Sequence, residues 1–292
     1  MWAMRHAYAF IAPFYLLFLV FGAFPLVWSL YLTFQEWDGL RPMKHVGLRN
    51  FAMLLRDQRF LDALGNTAIY WTVDVAFIIC LALLMAVLLH TPRLSGRRFY
   101  RLVLFLPNVT ATVAVGLVFI MLFDFNSGLV NALLGSLGLP RLGWLNSTGL
   151  SKVPVMVLAI WRATPWYMLI LLSGLQAINP ELYQAATVDG AGPVQKLFRI
   201  TIPSLATVLF FCFLTETIDS FRLFTEPYIT TGGGPGSSSL SIVQYLYESG
   251  FTVFKLGYAS AIGYVLTVIL MVISAAQVIF LRRGGGAMGS AP

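Results

Sequence analysis

Asn179-Pro180-Glu181-Leu182-Tyr183-Gln184-Ala185-Ala186-Thr187-Val188-Asp189-Gly190 opens a polar connector that closes on Ile200-Thr201-Ile202-Pro203. Residues 154–178 before it are apolar except for Arg162, and residues 205–228 after it are apolar apart from Glu216, Asp219, Arg222 and Glu226. Asn179-Pro180 stops the incoming helix, because a proline disfavours helical backbone at the residue before it. Glu181 to Val188 contain good helix formers, with Glu181 in the first turn where the helix dipole favours an anion. Asp189-Gly190 ends that helix, glycine supplying a left-handed residue at low cost. Gly192-Pro193 breaks the chain again before Val194 to Ile200. The expected shape is a short helix, a turn and a second short helix over 179–203, set between two membrane spans.

Composition agrees with that setting. The chain of 292 residues is 58% hydrophobic and 11% charged, where a soluble domain carries about 25% charge, and its mean hydropathy is +0.80. An integral membrane protein is implied before any motif is considered. The net charge of +7 does not indicate nucleic acid, because the basic residues sit at the ends of apolar runs as membrane topology places them. Cys80 and Cys212 lie inside apolar runs and are expected as small buried hydrophobes. The three histidines, His6, His45 and His90, are scattered, with no metal-ligand spacing.

A bilayer core needs about 20 apolar residues per helix. Residues 7–34, 102–123 and 256–281 carry no charge, and 66–89 carry only Asp74. With 154–178 and 205–228 these give six expected spans packed as one all-α bundle over 1–283, followed by a polar tail at 284–292. The first run exceeds a signal-peptide core and has no small-residue cleavage site after it, so it is expected to be retained. An N-terminus inside puts nine lysines and arginines on the cytoplasmic side against eight outside. Density decides: Arg93, Arg97, Arg98 and Arg101 crowd one short loop, and Arg282-Arg283 abut the last span. Both termini are therefore expected in the cytoplasm.

Ala185-Ala186, three residues, Gly190, nine residues, Ile200, then Ile202-Pro203 resembles the coupling loop of ABC importer permeases, whose pattern is Glu-Ala-Ala, three residues, Gly, nine residues, Ile-x-Leu-Pro. Gln184 stands where that pattern has Glu, with Glu181 one turn earlier, and Ile202 replaces Leu. Val46-Gly47-Leu48-Arg49-Asn50-Phe51, Leu106-Pro107-Asn108, Phe221 to Pro235 and Gly257-Tyr258-Ala259-Ser260-Ala261 are similar to segments of the sugar-importer permeases related to the maltose system. The chain looks like the six-helix core of that system's larger permease subunit. The resemblance implies a second homologous permease, two ATPase subunits on the cytoplasmic face that hold the ATP and Mg, and an extracytoplasmic binding protein that delivers a sugar, with a disaccharide as the expected cargo. It implies coupling roles for Glu181, Gln184, Ala185, Ala186, Asp189, Gly190 and Pro203, no cofactor bound by this chain, no nucleic-acid partner, and residence in the inner cell membrane among its lipids.

Charge inside a span costs about 2.5–3.5 kcal/mol on insertion scales and marks functional candidates. Glu216, Asp219, Arg222 and Glu226 fall at offsets 0, 3, 6 and 10, which at about 100° per residue is an arc of roughly 120° on one helix. Trp161, Arg162, Trp166 and Tyr167 on the preceding span add aromatic faces and a second cation. Together these are the expected substrate path. Two alternatives stand beside it: the aromatics as an interfacial belt, and the charges as an internal network pairing Asp219 with Arg222 and Arg162 with Glu216 or Glu226. Asp74 is expected to pair with an arginine. Cargo alternatives are a glycerol-phosphate compound or an amino sugar.

Other classes fare worse. A stand-alone secondary transporter would show matching broken helices in two halves, and only one such connector is present. No Gly-x-x-x-x-Gly-Lys-Ser/Thr loop occurs, so no ATPase site is expected in this chain. An intramembrane enzyme would need a nucleophile and base or a metal set inside the spans, which the sequence does not offer.

Overall fold

The structure is a computed structural model that describes residues 2–91 and 95–285, with side chains described for 8–91 and 95–280. Arg93 and the tail from residue 286 lie outside the described residues, as do the side chains of Arg5, Arg282 and Arg283. In chain order the elements are α1 (Trp2–Phe18), α2 (Phe24–Leu32), β1 (Gln35–Glu36), β2 (Lys44–His45), α3 (Arg49–Leu54), α4 (Gln58–His90), α5 (Arg97–Val109), α6 (Thr112–Leu122), α7 (Leu129–Ser136) and α8 (Lys152–Gln176). There follow α9 (Pro180–Val188), α10 (Pro193–Lys196), α11 (Ile202–Ser204), α12 (Ala206–Phe221), α13 (Thr225–Thr230), α14 (Ile242–Tyr247) and α15 (Leu256–Gly285). Four helices are long and apolar enough to cross a membrane, Tyr8–Leu32, Gln58–His90, Lys152–Gln176 and Leu256–Phe280. The number rises to six if each of two bent pairs counts as one crossing.

Those pairs depart from the expected continuous spans. Residues 102–123 are broken between α5 and α6, which meet at 92°. Thr110 and Ala111 are extended there, and the Thr110 hydroxyl donates to the Pro107 carbonyl at 2.7 Å. That is a local side-chain substitute for a helical backbone bond. The expected 205–228 span stops at Phe221. A helix continued through Pro227 would drive the proline ring into the carbonyl four residues earlier, at Leu223. The chain instead restarts as α13, with Pro227 in its first turn. The second bent pair joins Pro193–Ser204 to Ala206–Phe221 at 72°, next to Pro203.

The chain separates into two compact units, residues 1–61 with 245–269, and 62–244 with 270–292. In the first, β1 and β2 pair antiparallel with Gln35 opposite His45. Buried Asn50 donates both amide hydrogens, to the carbonyls of Thr33 at 2.8 Å and Gln35 at 2.9 Å. Leu256 N–H donates to Trp37 O at 3.0 Å. A Cβ on Gly257 would collide with the Gln35 carbonyl, so only glycine lets the start of α15 lie this close. Asp57 gathers four donors: the hydroxyls of Tyr245 and Tyr258 on Oδ2, and the N–H groups of Arg59 and Phe60 at the start of α4 on Oδ1. Arg59 pairs with Glu248 at 2.9 Å and lies 5.4 Å from the centre of the Tyr245 ring.

In the second unit Ile78, Ala82, Ala86 and Leu89 recur on one face of α4 and are buried against Tyr167, Met168, Leu171, Leu172 and Leu175 of α8, with Leu205 and Cys212. Small residues at 82 and 86 allow close helix approach, which membrane packing favours. A second cluster joins Phe119 and Phe123 to Leu158. Cys80 departs from expectation: it is exposed.

Burial raises the Asp57 carboxyl pKa, but the four donors outweigh it and hold the group below the usual carboxylate range. A depressed carboxylate stabilises the fold above its unfolded pKa, about 3.9, and that stability is lost as pH falls through the folded value. Asp57→Ala is expected to destabilise the protein by about 3 kcal/mol at pH 7, since hydrogen bonds to a charged acceptor are worth roughly 1.5–3 kcal/mol. The difference from the parent protein should persist to pH 5 and shrink below pH 4, as read from thermal unfolding in detergent.

Candidate functional site: a charged cavity and an exposed connector

The proline-enforced stop at Phe221 and the extended break after Val109 deliver two helix ends to one place. There a cavity of about 440 Å³ is lined by Asp74 and Ile78 of α4, Asn108 of α5, Ala159, Arg162, Ala163, Trp166 and Tyr167 of α8, Glu216, Asp219 and Ser220 of α12, and residues 222–226. Arg162, Trp166, Tyr167, Glu216, Asp219, Arg222 and Glu226, expected from sequence, are therefore brought together. They do not share one helix, because Arg222 lies in the turn after α12 and Glu226 in α13.

Trp161 is not among them. It lines a separate apolar groove between α4, α5 and α8, with its ring 5.8 Å from that of Phe119. One residue on a helix is about 100° of rotation, which carries Trp161 off the face that holds Arg162.

The charges are connected in a definite way. Arg162 Nη1 donates to Glu226 Oε1 at 2.7 Å, one of the two pairings expected for Arg162. The Tyr167 hydroxyl donates to Asp219 Oδ2 at 3.1 Å, and the Ser220 hydroxyl donates to Glu216 Oε1 at 2.9 Å. The expected Asp219–Arg222 ion pair is not formed among the described residues, and neither is an ion pair of Asp74 with an arginine. Asp74 instead lines the same cavity as three other carboxylates, and its Oδ1 is buried with no hydrogen-bond partner among the described residues. Glu216 Oε2 and Arg162 Nε share that condition.

Asn108, which the sequence marks only as part of Leu106-Pro107-Asn108, joins the site: its amide donates to the Arg162 carbonyl at 3.3 Å and so ties the end of α5 to α8 beside the cavity. The signal available was its position directly after Pro107.

At the connector, the Asn179 side chain accepts from Glu181 N–H at 3.0 Å and caps α9. Gly190 has φ +76°, its N–H donates to Thr187 O at 3.1 Å, and the Ala191 N–H reaches Ala186 O at 2.8 Å. That pair of bonds is a Schellman ending, which calls for glycine at this position. Lys196 Nζ donates to Thr187 Oγ1 at 2.8 Å, and the hydroxyls of Tyr183 and Thr201 are 3.0 Å apart; both contacts fix the angle between α9 and the segment after it. Glu181, Gln184, Ala185, Asp189, Gly190 and Pro203 are exposed and Ala186 is half-buried. Leu182, Val188, Val194 and Phe198 present large apolar surfaces beside them, Val188 at 88% exposure.

Removing one partner of the Arg162–Glu226 pair leaves a buried charge uncompensated, which costs about 3–5 kcal/mol. Arg162→Met alone is expected to lower the unfolding free energy by that order. Arg162→Met with Glu226→Met should recover most of it, a coupling read by comparing the single and double variants in a detergent melt.

A family model described as binding-protein-dependent transport system inner membrane component matches residues 78–284. The arabinooligosaccharides transport system permease protein AraP of Bacillus subtilis (strain 168) is 34% identical over 288 residues, covering 97% of this chain and 89% of its own. The lactose transport system permease protein LacF of Rhizobium radiobacter is 34% identical over 277 residues, covering 93% and 92%. A solved bacterial ABC transporter involved in importing the acidic polysaccharide alginate has a chain with the same fold, at TM-score 0.83 and 23% identity, with 96% of each chain covered.

Proposed function

The chain belongs to the family of binding-protein-dependent transport system inner membrane components, the permeases of ABC importers, and from that premise we propose that it forms, with a second homologous permease, the path for a sugar of about disaccharide size. The observation that carries the sugar is the cavity. Carboxylates, a guanidinium, an amide and hydroxyls converge there beside the exposed Trp166 ring, and sugar hydroxyls need such donors and acceptors. The names of the relatives, which move arabinooligosaccharides and lactose, support the same cargo class. A binding protein on the outer face delivers the sugar, and both termini of this chain lie in the cytoplasm.

Energy enters at the connector. Two ATPase subunits, which hold the ATP and Mg, take up the connectors of the two permeases. Here α9 is the docking helix. Its small residues Ala185 and Ala186 permit close approach, and Leu182 and Val188 supply apolar surface of the kind that marks a protein contact. The capped start at Asn179 and the glycine ending at 190 make the element rigid enough to transmit a push. Hydrolysis takes place in the partner subunits, and this chain is a transport subunit.

Gly190→Asp tests the coupling role. A Cβ at 190 meets nothing within 4 Å, and aspartate is among the residues that tolerate a left-handed backbone, so the variant is expected to fold and insert at normal abundance. Uptake of the sugar, or retention of the ATPase during purification, should fall by about tenfold or more, the size of a contact worth 1.4 kcal/mol or above. Normal uptake with normal ATPase retention would remove the connector from the coupling role.

A further inference from the structure

We propose that the cavity selects its cargo by charge: its deep wall, formed by Asp74, Glu216 and the Arg162–Glu226 pair, accepts an uncharged sugar ring and rejects anionic saccharides. The proposal rests on the sugar-permease reading and adds the class of sugar.

Asp74 and Glu216 are 1% and 3% exposed, yet Asp74 Oδ1 and Glu216 Oε2 are buried without a hydrogen-bond partner among the described residues. The other Glu216 oxygen is already occupied by Ser220 at 2.9 Å. Arg162 is committed to Glu226 through Nη1 at 2.7 Å and leaves its Nε unfilled. The wall thus holds three unmet positions, two that accept and one that donates. Buried groups in that state are costly unless something supplies the missing bonds.

A hydroxyl both donates and accepts. Two neighbouring hydroxyls on a sugar ring give their hydrogens to the carboxylate oxygens, and a ring oxygen lone pair takes the Arg162 Nε hydrogen. An anion meets the wrong sign. Three carboxyl groups, Asp74, Glu216 and Glu226, line the wall, and its one cation, Arg162, is already paired with Glu226, so no positive charge is left to receive an anion. At the exposed rim Asp219 and Arg222 oppose each other and contribute no net charge. Coulombic repulsion strengthens where water is excluded, so the wall discriminates most where the sugar is most desolvated.

The gene is deleted in its own host, and uptake is compared for neutral disaccharides (lactose, arabinobiose) and an acidic one (digalacturonate). The expected result is deletion-dependent uptake of a neutral saccharide only. Deletion-dependent uptake of the acidic sugar would overturn the proposal and leave the sugar-permease reading intact. If no saccharide uptake depends on the gene, that reading fails and this proposal falls with it. Complementation then assigns the wall. Asp74→Asn and Glu216→Gln, which keep shape and remove charge, are each expected to lower uptake of the cognate sugar by about tenfold at unchanged membrane abundance, the loss of one hydrogen bond to a charged group. Asp74→Glu should restore part of it. Full uptake in both amide variants at normal abundance would overturn the role of these residues; a variant absent from the membrane leaves the other to decide.

Discussion

A guanidinium and a carboxylate held 2.7 Å apart inside an apolar bundle set the terms for everything around them. Arg162 sits mid-way along α8, a helix whose one other charged residue is Lys152 at its start, and an unpaired arginine there is costly in a membrane. Its partner is not on a neighbouring turn of the same helix. Glu226 comes from α13, after the chain has left α12, so the pair also holds that short helix against α8. Asn108 adds a bond from the end of α5 to the Arg162 carbonyl. One charged residue thereby joins three backbone segments, α5, α8 and α13.

The broken helices follow from the same constraint. Backbone groups exposed at a helix end inside a bilayer must find partners or water. Here Thr110 satisfies the Pro107 carbonyl, and the turn after Phe221 closes through Arg222 N–H to Asp219 O at 3.0 Å and Leu223 N–H to Ser220 O at 3.3 Å. Irregular backbone is tolerated at such a depth where it lines a polar cavity, and both breaks border this one. Pro227 keeps α12 from continuing and Pro107 lies in the last turn of α5, while the residues beside them, Asn108 and Glu226, supply two of the polar groups of the site.

How far the sequence revealed this depends on the kind of signal. The connector was legible almost residue by residue, because Asn179-Pro180 and Asp189-Gly190 act through local backbone preferences that need no tertiary partner. The membrane class was equally plain from apolar run length. The cavity was half legible. Charges in a span are conspicuous, so Arg162, Glu216, Asp219, Arg222 and Glu226 could be named, yet the single helical arc drawn through 216–226 ignored Pro227, whose clash with residue 223 ends the helix first. Trp161 was placed by residue type, and its rotation away from Arg162 decided otherwise. Asp74 is expected to pair with an arginine, yet it forms no ion pair among the described residues and lines the cavity with three other carboxylates, a long-range fact with no local mark. Cys80 shows the same limit, since exposed positions of α4 such as Phe77, Leu84 and Leu88 are as apolar as buried Ile78 and Leu89.

The connector and the cavity are ends of the same two helices. Tyr167 at the cavity and Asn179 at the connector are twelve residues apart along the α8 direction, about 18 Å at 1.5 Å per residue. The span between them is filled by Met168, Leu171, Leu172 and Leu175 packed on Leu205 and Cys212, all nearly or fully buried. Gly174 lets α12 come close: a Cβ there would meet Leu205 Cδ2 at 2.8 Å and Val208 Cγ2 at 3.2 Å. A core packed at that density resists compression, so on the proposed cycle a force applied at α9 moves the lower ends of α8 and α12 as one body. The residues at the far end of that body are Tyr167, Asp219 and Glu216. The flexibility needed to open the cavity then falls to the breaks at 110–111 and 222–224, which lie on the elements facing α8 and are held to it by the Asn108 bond and the Arg162–Glu226 pair. A cargo that fills the unmet positions on Asp74, Glu216 and Arg162 acts on those same contacts, and the charge pair that holds the site together becomes the point where substrate and ATPase would compete for control of it.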